Sequence, residues 1–376
     1  MDGLKVIVVG GGIGGLTAAL ALLKSGQQVD VYEAAPAWAD IGAGVTMAPN
    51  AMQGYAWLGL DEAIVAAGVE PNRQTIRDGR SGDLLHTLER GNSTREKYGV
   101  PYVYIHRADL HTILVAEFAR LGGVMHLDTA IVDVSHNADG ATVTTVDGSK
   151  ATADLVIGAD GLKSVVRKLY EPSKAYFTGH IAFRAVAPVD DAVCDLAENP
   201  GIHIGPGRLV VRYPMRQGQL LNLVFFVRQP GWSEEGWAIS AQKPELAGLF
   251  DGWCDDVQTM ISAAPEPTLF KWAINARTPL STWSIGEHIT LLGDSAHAMT
   301  PFLGQGAATA IEDGVVLARV LNDSATLGER TSFIQLESNA NADRLQGQET
   351  NLYGMGELRN EETLGLFDYN CTTVPV

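Results

Sequence analysis

Basic residues are in short supply in this chain. There are 27 Lys and Arg against 44 Asp and Glu, a formal charge of −17 over 376 residues. A protein that holds nucleic acid needs a cationic footprint to neutralise phosphates, so this balance argues against one. Attraction to an anionic membrane surface is disfavoured for the same reason. Cysteine is scarcer still. Cys194, Cys254 and Cys371 lie far apart and form no Cys-x-x-Cys pair. That disfavours a disulfide framework, a zinc cluster or a dithiol redox site, and it suits a reducing compartment. Long unbroken apolar runs are missing too. The longest candidate, Val6 to Leu23, is interrupted by Gly10-Gly11-Gly12-Ile13-Gly14-Gly15, and glycine at that density favours strand, turn and helix over a membrane span. The run begins at Lys5, which leaves no room for a leader, so a soluble cytoplasmic protein is expected. No metal site, internal repeat or low-complexity tail is apparent.

What the chain has in quantity is glycine, 41 residues, and the positions carry information. Val6–Val9 is all apolar, as suits a parallel strand buried on both faces. Leu16, Leu20 and Leu23 then recur at helical spacing until Gly26, and Val29-Asp30-Val31-Tyr32-Glu33 predicts a second strand. A βαβ unit therefore occupies the first 33 residues. A helix is expected over Asp109–Leu121. A hairpin is expected over residues 141–160, turning at Asp147-Gly148 with its second strand ending at Leu155-Val156-Ile157-Gly158. Residues 178–275 differ in kind. They offer candidate antiparallel strands at His180–Val186, Arg208–Tyr213 and Leu220–Val227, and five of the seven tryptophans fall between 232 and 283. Ile289-Thr290-Leu291-Leu292 predicts one more buried strand, followed by a helix through Leu321.

Three strand-end motifs stand out. The first is Gly10-x-Gly12-x-x-Gly15 between strand and helix, with Glu33 ending the next strand. Glycines there permit a tight turn and close approach to a pyrophosphate, the helix N-terminus offers N–H groups, and the acidic residue is placed for an adenosine ribose. This favours a dinucleotide without separating FAD from NAD. The second is Gly158-Ala159-Asp160-Gly161, continuing to Ser164 and Arg167. The third is Gly293-Asp294-Ser295-Ala296-His297, followed by Pro301, Gly304-Gln305-Gly306 and Glu312-Asp313. Each alone is also explained as a turn whose Asp satisfies loose amides. Together they imply one extended ligand across the carboxyl edge of a sheet.

With these motifs, Gly42-Ala43-Gly44, Pro49-Asn50 and Ile105-His106-Arg107-Ala108-Asp109-Leu110, the chain resembles the FAD-dependent aromatic hydroxylases. These are single-component flavoprotein monooxygenases of the para-hydroxybenzoate hydroxylase fold. The likeness is nearest to the salicylate, 3-hydroxybenzoate, 6-hydroxynicotinate and 4-nitrophenol monooxygenases, and it runs from residue 4 to about 370. It implies an α/β fold: a Rossmann-like FAD-binding domain, an inserted mainly antiparallel β-sheet substrate domain, and C-terminal helices. On that plan residues 1–72, 101–177 and 276–325 build the FAD domain. Residues 73–100 lead toward the substrate domain, 178–275 form it, and 326–376 are helical.

The resemblance also implies roles. Gly10, Gly12, Gly14, Gly15, Glu33, Ala43 and Gly44 would belong to the FAD site, with Glu33 on the adenosine ribose and Arg107 near the ribityl and pyrophosphate. Asp160 would support FAD and take part in NADH or NADPH binding. Asp294 would hold the ribityl or pyrophosphate, and Pro301, Gly304, Gln305 and Gly306 would flank the isoalloxazine. In the implied cycle NAD(P)H reduces FAD, O2 adds at flavin C4a, and the hydroperoxide delivers oxygen to an electron-rich ring. A small aromatic substrate, with a monomer or homodimer, is expected.

One family feature is missing. Many phenol-hydroxylating relatives carry a histidine four residues before a Tyr-Pro pair, and a phenolate attacks better than a phenol. Here Leu209 occupies that position before Tyr213-Pro214. Three readings stay open: a substrate already ionised, another base such as His180 or His203, or an amino-activated ring. His180 and His203 also read as ordinary satisfied histidines. Tyr213 is a candidate pocket aromatic, whereas Phe225 reads as core. Arg184 and Arg212 are candidate anchors for an anionic substituent, Arg212 otherwise lying on a solvated strand face. The catalytic candidates are thus Pro301, Tyr213, His203 and Arg184. An alkene epoxidase or a non-catalytic FAD-binding protein are the alternatives.

Overall fold

A computed structural model of the chain describes residues 3–38, 43–169, 175–232, 238–278, 280, 282–321, 361–362 and 365–376. One sheet has six strands in the order Ser284–Ile285, Ile289–Leu291, Leu155–Gly158, Lys5–Val9, Gln28–Tyr32 and Val124–His126. Its neighbours are parallel except for the hairpin of the first two. Val9 pairs with Gly158, and Gly158 with Leu291. That register brings the ends of three strands, and the glycine motifs that follow them, to one edge. The helices Ile13–Lys24, Arg107–Arg120 and Gly306–Val320 pack with this sheet around Val8, Leu16, Leu114, Ile157 and Val315. Gly10 takes φ +107°, and a Cβ there would sit 2.4 Å from the Ala159 carbonyl oxygen. Only glycine lets these two strand ends lie so close.

The expected hairpin over 141–160 needs a correction. Its turn lies between Gly140–Thr145 and Lys150–Ala153, but that pair joins Ile131–Asn137 in a separate three-stranded sheet. Leu155–Gly158 is a new strand in the parallel sheet. Asp154 makes the break: its backbone N–H donates to the Lys5 carbonyl, and its carboxylate accepts the Lys5 N–H at 2.8 Å. Burial changes at the same place, from a half-exposed Lys150–Ala153 to a fully buried Leu155–Gly158.

The second large sheet has eight strands. Their order is Ile239–Ser240, Phe270–Ala276, Tyr176–Pro188, Leu220–Arg228, Arg208–Met215, Gly201–Gly205, Arg73–Asp78 and Leu84–Glu89. All pairs are antiparallel except Gly201–Gly205 with Arg73–Asp78. Side chains alternate across each strand. Phe183, Val210, Leu223 and Phe225 pack on one face against the helices Lys243–Leu249 and Asp255–Ala263. Ala182, Leu209, Val224 and Phe226 form the other face. The described C-terminal residues include a short 3-10 turn, Leu366–Asp368. The expected C-terminal helices lie mostly outside the described residues. Among those described, no helix is long and apolar enough to cross a membrane, and no group of three acidic, His or Cys side chains is placed to hold a metal.

Candidate active site

A cavity of about 580 Å³ runs from the carboxyl edge of the parallel sheet to the Ala182 face of the eight-stranded sheet. At the first end it is bordered by Gly12, Gly14, Gly15, Arg107, Asp294 and Gly306. Two helix N-termini reach it, those of Ile13–Lys24 and Gly306–Val320. Neither has a side-chain cap or an acidic residue in its first turn, so their N–H groups and partial positive charge are free for an anion. A Cβ on Gly12 would meet nothing within 4 Å. This donor set, with a cavity long enough to continue to a second chemistry, fits a dinucleotide phosphate.

The other expected cofactor residues fall into two groups. Pro301 and Gly304 border the cavity, as do Gly44 and Arg107. Ala43 is buried, and its carbonyl accepts the Arg107 N–H. Glu33, Asp160 and Gln305 are not among the bordering residues. The Glu33 carboxylate takes the N–H groups of Gly11 and Ala35 at 2.8 Å each. Asp160 Oδ2 takes those of Val165 and Val166, while its buried Oδ1 has no partner. Burial raises the Asp160 carboxyl pKa against the lowering effect of these bonds. The Gln305 amide turns inward, where its oxygen accepts from Asn50 Nδ2, which also donates to Glu312. The Pro49-Asn50 motif thus ties the loop before the helix Gly306–Val320 to the body of the fold. His297, buried, lies 2.7 Å from Asp313, and the same Asp313 oxygen accepts the Gly293 N–H. Asp294 opens to the cavity, and its carboxyl pKa is raised by desolvation against the pull of His297 and Arg107.

The far end of the cavity is aromatic and cationic. Tyr213 and Arg184 both border it, together with Tyr104, Phe226 and Trp272. Tyr213 holds its proton up to about 12 because it is buried, despite Arg184 nearby. The Arg184 guanidinium lies 5.3 Å from the Trp272 ring, and its Nε is buried without a partner. Neither Arg184 nor Arg107 forms an ion pair with a described residue. Desolvation is the main pressure lowering the Arg184 pKa, and Arg107 adds to it.

His203 requires a correction. It is fully buried but belongs to the opposite face of the sheet from Val211 and Tyr213, and it does not border the cavity. Arg212 donates to its Nδ1 at 3.0 Å, and Asp256 lies 3.3 Å from Nε2. Burial, helped by Arg212, pulls its pKa down to about 4. A neutral imidazole spent on Arg212 behind the sheet is not a base for the cavity. Arg212 itself borders the cavity beside Gly201, but its guanidinium turns to His203 and it is 1% exposed, so its strand face is not solvated. His180 is half-buried, with Nδ1 3.1 Å from the Thr178 carbonyl oxygen and its ring edge-on to Phe302. Phe225 is core, on the face away from the cavity.

Sequence reasoning missed Tyr102, Tyr104, Trp272 and Glu361, all of which border the cavity. Tyr102 and Tyr104 did leave a signal, two aromatics at strand spacing just before the His106-Arg107 motif. Trp272 left none: it reaches the site because it pairs with Ala182 two strands from Leu209.

Comparison with known proteins agrees with this geometry. Residues 3–332 match the family described as FAD binding domain. The 3-hydroxybenzoate 6-hydroxylase of Polaromonas naphthalenivorans (strain CJ2) is 38% identical over 85% of this chain and 79% of its own. The chain belongs to the FAD-dependent aromatic hydroxylases. A 6-hydroxynicotinate 3-monooxygenase of Pseudomonas fluorescens is 32% identical over 99% of this chain and 96% of its own. Klebsiella pneumoniae HpxO, solved with FAD and uric acid, superposes with a TM-score of 0.81 at 27% identity, over 99% of this chain and 97% of that one. The protein is therefore an FAD-dependent monooxygenase that uses NAD(P)H and O2 to hydroxylate an aromatic ring.

Proposed function

We propose that this flavin hydroxylase acts on a small ring bearing both a hydroxyl and an anionic substituent, such as a hydroxybenzoate or hydroxypyridine carboxylate. The observation that carries the reading is Arg184. It is a cation in a deep cavity with no carboxylate partner among the described residues, set between Trp272, Tyr213 and Arg107. An unpaired buried charge is costly, and a ligand anion that pairs with it recovers much of that cost. The names of the relatives from Polaromonas naphthalenivorans and Pseudomonas fluorescens give each a ring hydroxyl and a carboxylate, which supports the same class. The net charge of −17 offers such an anion no general attraction, so the local cation has to provide it.

On this reading Gly10, Gly12, Gly14 and Gly15 with the two helix N-termini hold the FAD phosphates, and Arg107 and Asp294 flank them. Glu33, which holds the Gly11 and Ala35 N–H groups, would take the adenosine ribose, while Asp160 steadies the Ala159–Gly161 turn. Bound FAD supplies the electron transfer from NAD(P)H and the activation of O2. The chain supplies position: Arg184 fixes the anionic end of the ring, Tyr213 directs its hydroxyl toward the ring oxygen, and Pro301 and Phe302 wall off water. The experiment is NADH and NADPH oxidation against hydroxybenzoates, hydroxypyridine carboxylates and their uncharged counterparts, with hydrogen peroxide measured alongside. Coupled turnover of the carboxylates at low concentration is expected. Equal kcat/KM for the uncharged phenols would overturn the reading.

A further inference from the structure

A hydroxylated ring becomes a better nucleophile when it loses its hydroxyl proton, and neither His203 nor His180 borders the cavity to receive it. Leu209 packs in the apolar cluster with Phe226 and Ile274. Two described carboxylates do border the cavity, Asp294 and Glu361. Asp294 starts the short helix Asp294–His297 at the edge of the parallel sheet. Glu361 arrives from the other end of the chain and stands near Tyr102 and Arg90.

Its placement is held by its neighbours. Glu362 receives Lys97 Nζ at 2.8 Å, Arg90 Nη1 at 3.3 Å and the Tyr98 hydroxyl at 3.3 Å. The Leu366 N–H donates to the Glu361 carbonyl, and the Gly365 N–H to that of Glu362. Phe367 is fully buried, edge-on to Tyr98 at 5.5 Å. The Arg90 guanidinium covers both Tyr102 and Phe367. So the turn is clamped from the helix Asn92–Tyr98 and from Tyr102, which keeps Glu361 at the border of the cavity.

Chemistry suits a base. Glu361 forms no ion pair with a described residue: Arg90 gives Nη1 to Glu362 and Nε to Gln74. Burial raises its pKa, Glu362 adds to that, and Arg90 opposes it. The remaining groups facing it are Tyr102 from the strand side and, through Glu362, Lys97 and Tyr98. The tyrosines bordering the cavity are poor acceptors, since burial raises all three.

We propose that Glu361 accepts the proton of the substrate's ring hydroxyl, a step that rests on the hydroxyarene reading above. The O–H bond breaks, the proton passes to a Glu361 carboxylate oxygen, and the electron pair stays on the ring oxygen. The test uses FAD-loaded wild type, Glu361→Gln and Glu361→Asp with 3-hydroxybenzoate and its nitro-substituted analogue, which is ionised near neutrality. Difference absorbance against pH reads the ionisation of the bound ring, and the rate of flavin reduction serves as a control. In Glu361→Gln the acid limb of the 3-hydroxybenzoate kcat–pH profile, which reports Glu361 losing its own proton, should vanish, leaving activity that rises only as the bound ring itself ionises. Its kcat at pH 7 should fall by about 100-fold, with recovery at high pH and in Glu361→Asp, and the nitro analogue should lose far less. A kcat–pH profile that keeps its acid limb, or equal losses on both compounds, would overturn the proposal as a structural effect. Wild type that hydroxylates neither compound nor any other hydroxyarene fails at the earlier step, and then the substrate reading itself is wrong.

Discussion

Tyr213 lies face to face with Tyr104, ring centroids 4.5 Å apart and planes within 13°, and its edge rests on the backbone of Gly44. A Cβ on Gly44 would stand 2.3 Å from Tyr213 Cε2. The loop cannot retreat freely, because the Gly44 N–H is given to buried Asn222 at 2.9 Å. Gly44→Ala must therefore push Tyr213 off Tyr104 or break that bond. Overpacking of this kind costs about 1–3 kcal/mol, read as a lower Tm. The displaced Tyr213 should also raise the share of NAD(P)H oxidation that ends as hydrogen peroxide. Unchanged Tm and coupling would show that the ring does not depend on this contact.

Arg184 offers a test of substrate charge. In Arg184→Gln the cavity keeps its shape but loses the cation over Trp272. A charge-assisted bond to a carboxylate contributes about 1.5–3 kcal/mol, so KM for a carboxylated hydroxyarene should rise by roughly 10- to 100-fold. An uncharged phenol should change little. Steady-state comparison of the two substrates makes the check, and a matched loss on both would assign Arg184 to the fold or the cofactor.

Asp294 begins a helix at the cavity without a salt-bridge partner among the described residues, and its carboxyl pKa is raised by desolvation. If it holds the cofactor, Asp294→Ala should weaken FAD by about tenfold or more, near 1.4 kcal/mol. Flavin absorbance relative to protein after gel filtration reads the loss. Occupancy equal to wild type would remove Asp294 from the assigned set.

The parts of this site that were legible in the sequence are the parts set by local backbone chemistry. Gly10 with its positive φ, Gly12 at a helix start, and Gly293 after a buried strand each leave a short motif, and the parallel register then brings them together. Residues that meet by long-range pairing left no motif. Arg184 and Trp272 share a face only because the strand Tyr176–Pro188 pairs with Phe270–Ala276 in one register rather than the next. His203 failed as a base for the same reason, since a shift of one residue moves a side chain through the sheet. The single strand expected up to Gly158 failed at Asp154, where side-chain and backbone bonds to Lys5 switch the chain between sheets. Glu361 was invisible for a further reason, because what directs it is Glu362 clamped by Arg90 and Lys97 from residues far back in the chain.

His297 and Asp313 give the protein a pH dependence with a definite sign. Burial alone would lower the His297 pKa, but Asp313 at 2.7 Å and Asp294 nearby outweigh it, and the net shift is upward. The folded state therefore binds this proton more tightly than the unfolded chain, whose histidine titrates near 6.5. The stability it contributes is fully present below pH 6.5 and is lost as pH rises through the folded value. Because Asp313 also holds the Gly293 N–H, the loss should loosen the turn that carries Asp294. Thermal unfolding of wild type and His297→Asn across pH 5.5 to 9 tests this. The wild-type advantage in Tm should be largest at the acid end and shrink steadily toward the alkaline end, with FAD retention falling in parallel. An advantage that grows with pH would mean His297 sits neutral in the folded protein, and the coupling to Asp313 would then be an ordinary hydrogen bond.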